Sequence, residues 1–193
     1  MADRLIDLLR HGETLGGACF RGTRNDSLSA TGWAQMNAVT SRDAVWTRVV
    51  SSPLRRCADF ASALARQRGL PHAILPDLAE RHFGAWEGLT ADQIPSAELG
   101  RFWADPVGYT PAGAEPLMRF RERVLGAWQE VDDWAGEGTL VVTHGGVIRV
   151  WIAECLRMPP DAAVQIEVPH ACLTRLRLPA PPGRPSLVWH GCR

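Results

Sequence analysis

Two things are scarce in this 193-residue chain: an excess of charge of either sign, and cysteines placed to work in pairs. Lys plus Arg and Asp plus Glu both number 21, so the formal net charge is zero. A balanced chain has no bulk attraction for nucleic acid or another polyanion. The five cysteines (Cys19, Cys57, Cys155, Cys172, Cys192) are odd in number and include no close CxxC pair. That argues against a disulfide framework and a structural zinc site, and fits a reducing compartment. No apolar run approaches the roughly 20 residues of a membrane-spanning helix. The opening MADRLIDLLRHGE has neither the apolar core nor the cleavage site of a signal peptide. These absences predict a cytoplasmic protein with no nucleic-acid and no membrane partner. The length predicts one domain over residues 1–193, large enough for a sizeable core.

What is present alternates. RLIDLL (4–9) reads as a short buried strand and leads into a glycine-rich loop. SATGWAQMNAV starts a helix with Ser29 or Thr31 as N-cap. AVWTRVVSS (44–52) reads as a second strand. PLRRCADFASALARQRG is a helix with Pro53 in its first turn and Gly69 as its stop. HAILPD (72–77) is a strand, 91–104 a helix, and 117–135 a long amphipathic helix. TLVVT (139–143) is a strand, followed by the helix GGVIRVWIAECLRM, closed by Pro159 and Pro160. CLTRLRL and SLVWH alternate like antiparallel edge strands. The pattern predicts an α/β fold: three layers, α/β/α, with a mostly parallel central sheet and an antiparallel edge.

Sheets of this kind place chemistry beyond the carboxyl ends of their strands. Three predicted strands end in reactive residues. One delivers Arg10 and His11, one leads through Ser51 and Ser52 to Arg55 and Arg56, and one delivers Thr143 and His144. The positive charge of the chain is carried by arginine, which binds phosphate or carboxylate through paired, charge-assisted hydrogen bonds. Backbone N–H groups where THGG enters a helix add donors. Two histidines beside two arginines repel a metal ion and attract a dianion. A neutral imidazole there can attack phosphorus. Loss of an alcohol needs a proton, which a carboxylic acid can give. Several Asp and Glu residues qualify, and the residues alone do not choose among them. Arg55 reads as a solvated helix residue.

The motifs resemble those of the histidine phosphatase superfamily, also called phosphoglycerate mutase-like. LLRHGET, SSPLRRC (51–57), LAERHFGAWEG (78–88) and VVTHGGVIR (141–149) follow the family's motifs in chain order across essentially the whole sequence. The resemblance implies phosphoryl transfer in two steps without metal or cofactor, on a small-molecule phosphomonoester. His11 is then the nucleophile. Arg10, Arg56 and His144 hold the phosphoryl oxygens, His144 as a hydrogen-bond donor, and Glu80 is the proton donor. His11 must be neutral and oriented by a hydrogen bond from its other ring nitrogen to a nearby backbone carbonyl. Thr14 and Gly145 are further substrate-binding candidates. Within the superfamily the likeness runs to the α-ribazole phosphatases, through LGGACFRGTRNDSLSATGWAQM, SSPLRRCADFA, HFGAWEG and RFWADPVGYTPAGAE.

The chain departs from the family in two places. Many members carry an asparagine where this chain has Gly17; Arg21 is the candidate substitute. Many read GGES where this chain has AGAEP (112–116), and Glu115 there is expected to be structural. Phe83, Trp86, Phe102 and Trp103 are candidates to stack on a flat ring, with core packing expected for at least half. Other readings are a phosphatase of sugar phosphates or nucleotides, a mutase, and a phosphate-binding scaffold without turnover. The segment from Glu80 to Gly113 is short for a mutase lid. The expected assembly is a monomer or homodimer.

Overall fold

The computed structural model describes residues 4–41, 46–134, 138–180 and 182–191. Six strands form one sheet in the order β3-β2-β4-β1-β5-β6. The strands are β1 (Arg4–Arg10), β2 (Arg48–Ser51), β3 (His72–Ile74), β4 (Thr139–Thr143), β5 (Leu173–Leu178) and β6 (Ser186–Gly191). The first four are mutually parallel. β5 runs antiparallel to β1, and β6 antiparallel to β5. The α-helices among the described residues are α1 (Ala30–Thr40), α2 (Arg55–Arg68), α3 (Ser96–Ala104), α4 (Leu117–Trp134) and α5 (Gly145–Cys155).

Strand alternation divides the core. Ile6, Leu8 and Val141 pack with α4 and α5 on one face. Leu9, Leu140 and Val142 pack with α1 and α2 on the other. This is the expected three-layer architecture. A third apolar cluster stands apart, built from Trp86, Ile94 and Phe102 with Phe20, Phe83 and Tyr109 around it. It stiffens the long connection between β3 and α4, which lies over the strand tips.

Ser29 caps α1 by accepting from the Gly32 N–H at 3.0 Å. Gly69 ends α2 with φ of 65°, a conformation that costs glycine nothing. Several boundaries differ from the sequence reading. Pro53 lies ahead of α2, whose N-cap is Leu54. The strand expected over 44–52 begins at Arg48; residues 44 and 45 lie outside the described residues. The strand expected over 72–77 stops at Ile74, because Pro76 starts a turn of 3-10 helix. The helix expected over 91–104 is split: Pro95 separates a 3-10 turn (91–93) from α3, as the restriction on the residue before proline requires. α5 ends at Cys155, ahead of the two prolines, and Arg157 follows with φ of 55°.

Asp7 is buried in the middle of β1. Its carboxylate accepts two hydrogen bonds from Arg175 of β5, both at 2.7 Å, and one from Trp46 Nε1 at 2.8 Å. The network ties the antiparallel edge to the parallel half of the sheet. Breaking a buried pair strands its partners and costs several kcal/mol. Asp7→Asn is expected to lower the unfolding free energy by ~3 kcal/mol, read from a urea titration. An unchanged midpoint would show that the network carries no stability.

Candidate active site

β1 and β4 are neighbours in parallel register, with Arg10 opposite Thr143. The His11 N–H continues the ladder to the Thr143 carbonyl at 2.9 Å. The next residue after each strand is a histidine, and the His11 and His144 rings lie 5.2 Å apart. The loop after His11 is held by backbone contact: a Cβ on Gly12 would collide with the backbone of Gly32 in α1. His11 Nδ1 pairs with the Gly12 carbonyl at 2.8 Å. A carbonyl only accepts, so Nδ1 carries the proton and Nε2 keeps its lone pair. The orientation expected for His11 is present.

Arg56 enters from the first turn of α2 and is almost wholly buried. Its Nη groups donate to the Arg24 and Gly22 carbonyls at 2.6 and 2.7 Å, and its Nε donates to His144 Nδ1 at 3.2 Å. His144 Nε2 therefore carries the proton and donates to Ser52 Oγ at 2.7 Å. That donor rests on Ser52, whereas the expectation was a donor turned toward the phosphoryl group. Arg10 reaches the Val168 carbonyl through Nη1, and its buried Nε has no hydrogen-bond partner among the described residues. Glu80 Oε1 accepts from the Arg81 N–H at 2.9 Å, and Oε2 from the Gly146 N–H at 3.0 Å. A side chain at Gly146 would collide with that carboxylate.

Arg10, His11, Arg56 and Glu80 open on a cleft of about 270 Å³, lined also by Thr14, Arg21 and Arg149 among others, whereas His144 and Ser52 are wholly buried and do not line it. Glu80 is its one acid among the described residues, against four arginines. Burial, followed by the charges of Arg56 and Arg10, holds the His11 pKa well below the usual histidine value. The same three causes act on His144, with His11 itself adding to them. Both imidazoles are neutral at pH 7. Burial pushes the Cys57 thiol up to about 12, so it is no nucleophile despite lying 3.7 Å from His144.

Thr14 is in the cleft as expected. Gly145 is buried behind Arg10 rather than on the cleft wall, and the helix-start N–H at Gly146 faces Glu80. Arg21 lines the cleft and reaches the Gly17 carbonyl, and its charge is paired with Asp26. Glu115 is structural, pairing with Arg123 at 2.7 Å. Arg55 is exposed beside Asp59. Of the four aromatic candidates, Phe83 lines the cleft, Trp86 and Phe102 are core, and Trp103 is exposed elsewhere.

The sequence reading missed Phe20, Arg149 and His170 on the cleft wall. Arg149 had a signal, since it follows Gly145 by four residues and so shares its helix face. Its Nε is held by the Ile166 carbonyl at 2.8 Å. His170, 5.8 Å from His11, precedes β5 with no pattern to mark it; β5 itself, expected as an edge strand, is flanked by β1 and β6, and only β6 forms the antiparallel edge.

A mixed sheet whose parallel strand tips gather arginines, two neutral imidazoles and one carboxylate defines a site for a phosphate ester. Comparison with known proteins agrees. The profile of the histidine phosphatase superfamily (branch 1) matches residues 6–191, and the chain belongs to that family. It is 33% identical over 177 residues to a glucosyl-3-phosphoglycerate phosphatase of Mycolicibacterium vanbaalenii, covering 83% of this chain and 78% of that one. It is 30% identical over 175 residues to an adenosylcobalamin/alpha-ribazole phosphatase of Salmonella typhimurium, covering 86% of each. A solved structure named mycobacterial hydrolase 1 superposes with a TM-score of 0.84 at 28% identity over the full length of both chains.

The neutral histidines make stability fall in acid. Their folded pKa values lie below the unfolded value, so below about pH 6.5 the unfolded chain binds protons that the folded chain refuses. Each contributes a slope of up to about 1.4 kcal/mol per pH unit once the unfolded form is protonated. Unfolding free energies measured from pH 7 to 5 should drop accordingly, and His11→Asn should reduce the slope by up to about 1.4 kcal/mol per pH unit. A wild-type stability flat across that range would contradict the burial of neutral imidazoles.

Proposed function

We propose that the protein is a metal-independent phosphomonoesterase that works through a phosphohistidine at His11. The observation that carries this reading is the Nδ1–H of His11 bonded to the Gly12 carbonyl, which turns an unprotonated Nε2 into a cationic cleft. Nε2 attacks phosphorus; the P–N bond forms as the bond to the alcohol oxygen breaks. Arg10 and Arg56 offset the charge on the phosphoryl oxygens. Glu80 gives its proton to the departing oxygen, then takes one from the water that attacks phosphorus and releases His11.

For the alcohol, the reading is α-ribazole 5′-phosphate or the corresponding adenosylcobalamin phosphate. It is supported by the sequence likeness to the α-ribazole phosphatases and by Phe20 and Phe83, which give the cleft an aromatic wall for a flat base. A second reading, an ester carrying a carboxylate, is favoured by Arg149, whose Nη groups have no hydrogen-bond partner among the described residues.

His11→Ala is expected to lower kcat/KM by at least ~10³-fold. Acid-labile, base-stable labelled phosphate should appear on the peptide holding His11. Retained activity would overturn the mechanism, and activity lost to EDTA and restored by metal would overturn its metal independence. Comparing kcat/KM on α-ribazole 5′-phosphate, 3-phosphoglycerate and glycerol 3-phosphate separates the two substrates. Preference for the ribazole ester supports the first. Preference for the acid, abolished by Arg149→Met, supports the second.

A further inference from the structure

Arg123, in the second turn of α4, lies outside the cleft, yet all five of its N–H groups are engaged around Glu80. Nε and Nη2 donate to the two oxygens of the Glu115 carboxylate at 2.7 and 2.9 Å. Nη1 donates to the Asp77 and Ala79 carbonyls, both at 2.8 Å, and Nη2 to the Glu80 carbonyl at 3.1 Å. The Phe120 ring lies against the guanidinium at 4.9 Å. The backbone of Glu115 closes the other side: its carbonyl accepts from Arg81 Nε at 2.7 Å, and its N–H donates to the His82 carbonyl at 2.9 Å. The chain on both sides of Glu80 is therefore fastened to one ion pair, while the Glu80 carboxylate touches the start of α5 through the Gly146 N–H.

We propose that the Arg123–Glu115 pair positions Glu80 for proton transfer. Glu115 neutralises the guanidinium, so the work of Arg123 is geometric: it fixes the carbonyls of Asp77, Ala79 and Glu80 and with them the reach of the carboxyl to the departing oxygen. Displacements of about 1 Å can cost ~10²-fold when geometry limits a step. This inference rests on Glu80 being the proton donor, as proposed above.

The test compares an alkyl ester, whose alcohol must be protonated as it leaves, with an aryl ester, whose phenolate leaves unaided. For Arg123→Gln and Glu115→Gln, kcat/KM is measured on glycerol 3-phosphate and p-nitrophenyl phosphate, alongside Glu80→Gln. The expected result is a loss at least ~10-fold greater on the alkyl ester for Arg123→Gln, smaller but in the same direction for Glu115→Gln. A thermal transition establishes folding; if Arg123→Gln does not fold, Glu115→Gln decides. Equal losses on both esters, or no loss, would overturn the inference. If Glu80→Gln is selective and the other variants are not, only this inference falls. If Glu80→Gln itself is not selective, the proton-donor assignment falls and takes this inference with it.

Discussion

The parallel pairing of β1 with β4 sets Arg10 opposite Thr143, and the His11 N–H prolongs the ladder by one rung. A slip of one residue would turn every core side chain of β1 to the wrong face. Ile6 and Leu8 would leave the α4–α5 layer, and Asp7 would lose both Arg175 and Trp46. The same slip would separate His11 from His144. Core burial and site geometry are thus held by one register, so the folding energy of the sheet also preserves the 5.2 Å approach of the two rings.

Around that pair the structure keeps positive charge unneutralised inside the protein. Desolvation works against Arg10 and Arg56, and the Glu80 charge opposes it. Their fixed contacts are mainly backbone carbonyls, which orient a guanidinium without neutralising it. Arg123 and Arg175, each paired closely with a carboxylate, serve loops and sheet instead. Arg21 stands between the two groups, on the cleft wall but paired with Asp26. The division separates cations available to a ligand from cations that hold structure.

Layers, strand tips and the convergence of Arg10, His11, Arg56, Glu80 and His144 were legible because they follow from local pattern and ordered motifs. Misplaced boundaries had local causes of another kind. Reading 91–104 as one helix ignored Pro95 between two compatible segments. Reading α5 through to Met158 missed the left-handed Arg157, to which no glycine drew attention. Trp46 looked like strand sequence, but its indole N–H is drawn to Asp7, a partner 39 positions away. Arg123 showed only as one charge on an amphipathic helix, since three of its five hydrogen bonds go to backbone oxygens of a distant loop. His144 was read from its motif as a donor to ligand; its actual tautomer depends on Arg56 and Ser52, brought to it by β2 and α2.

The segment just before β5 has a different kind of importance. The carbonyls of Ile166 and Val168 orient Arg149 and Arg10, while the carbonyl of Glu167 between them accepts from His190 on β6. The holding groups are main-chain oxygens, while the Val168 side chain is buried in the core beside α4 and α5 and Ile166 packs against it. The stretch therefore answers to two constraints at once. Its side chains must stay apolar where they meet the core, and its residue count must stay fixed. Deleting one residue would exchange the inward and outward carbonyls and leave both arginines without their anchors.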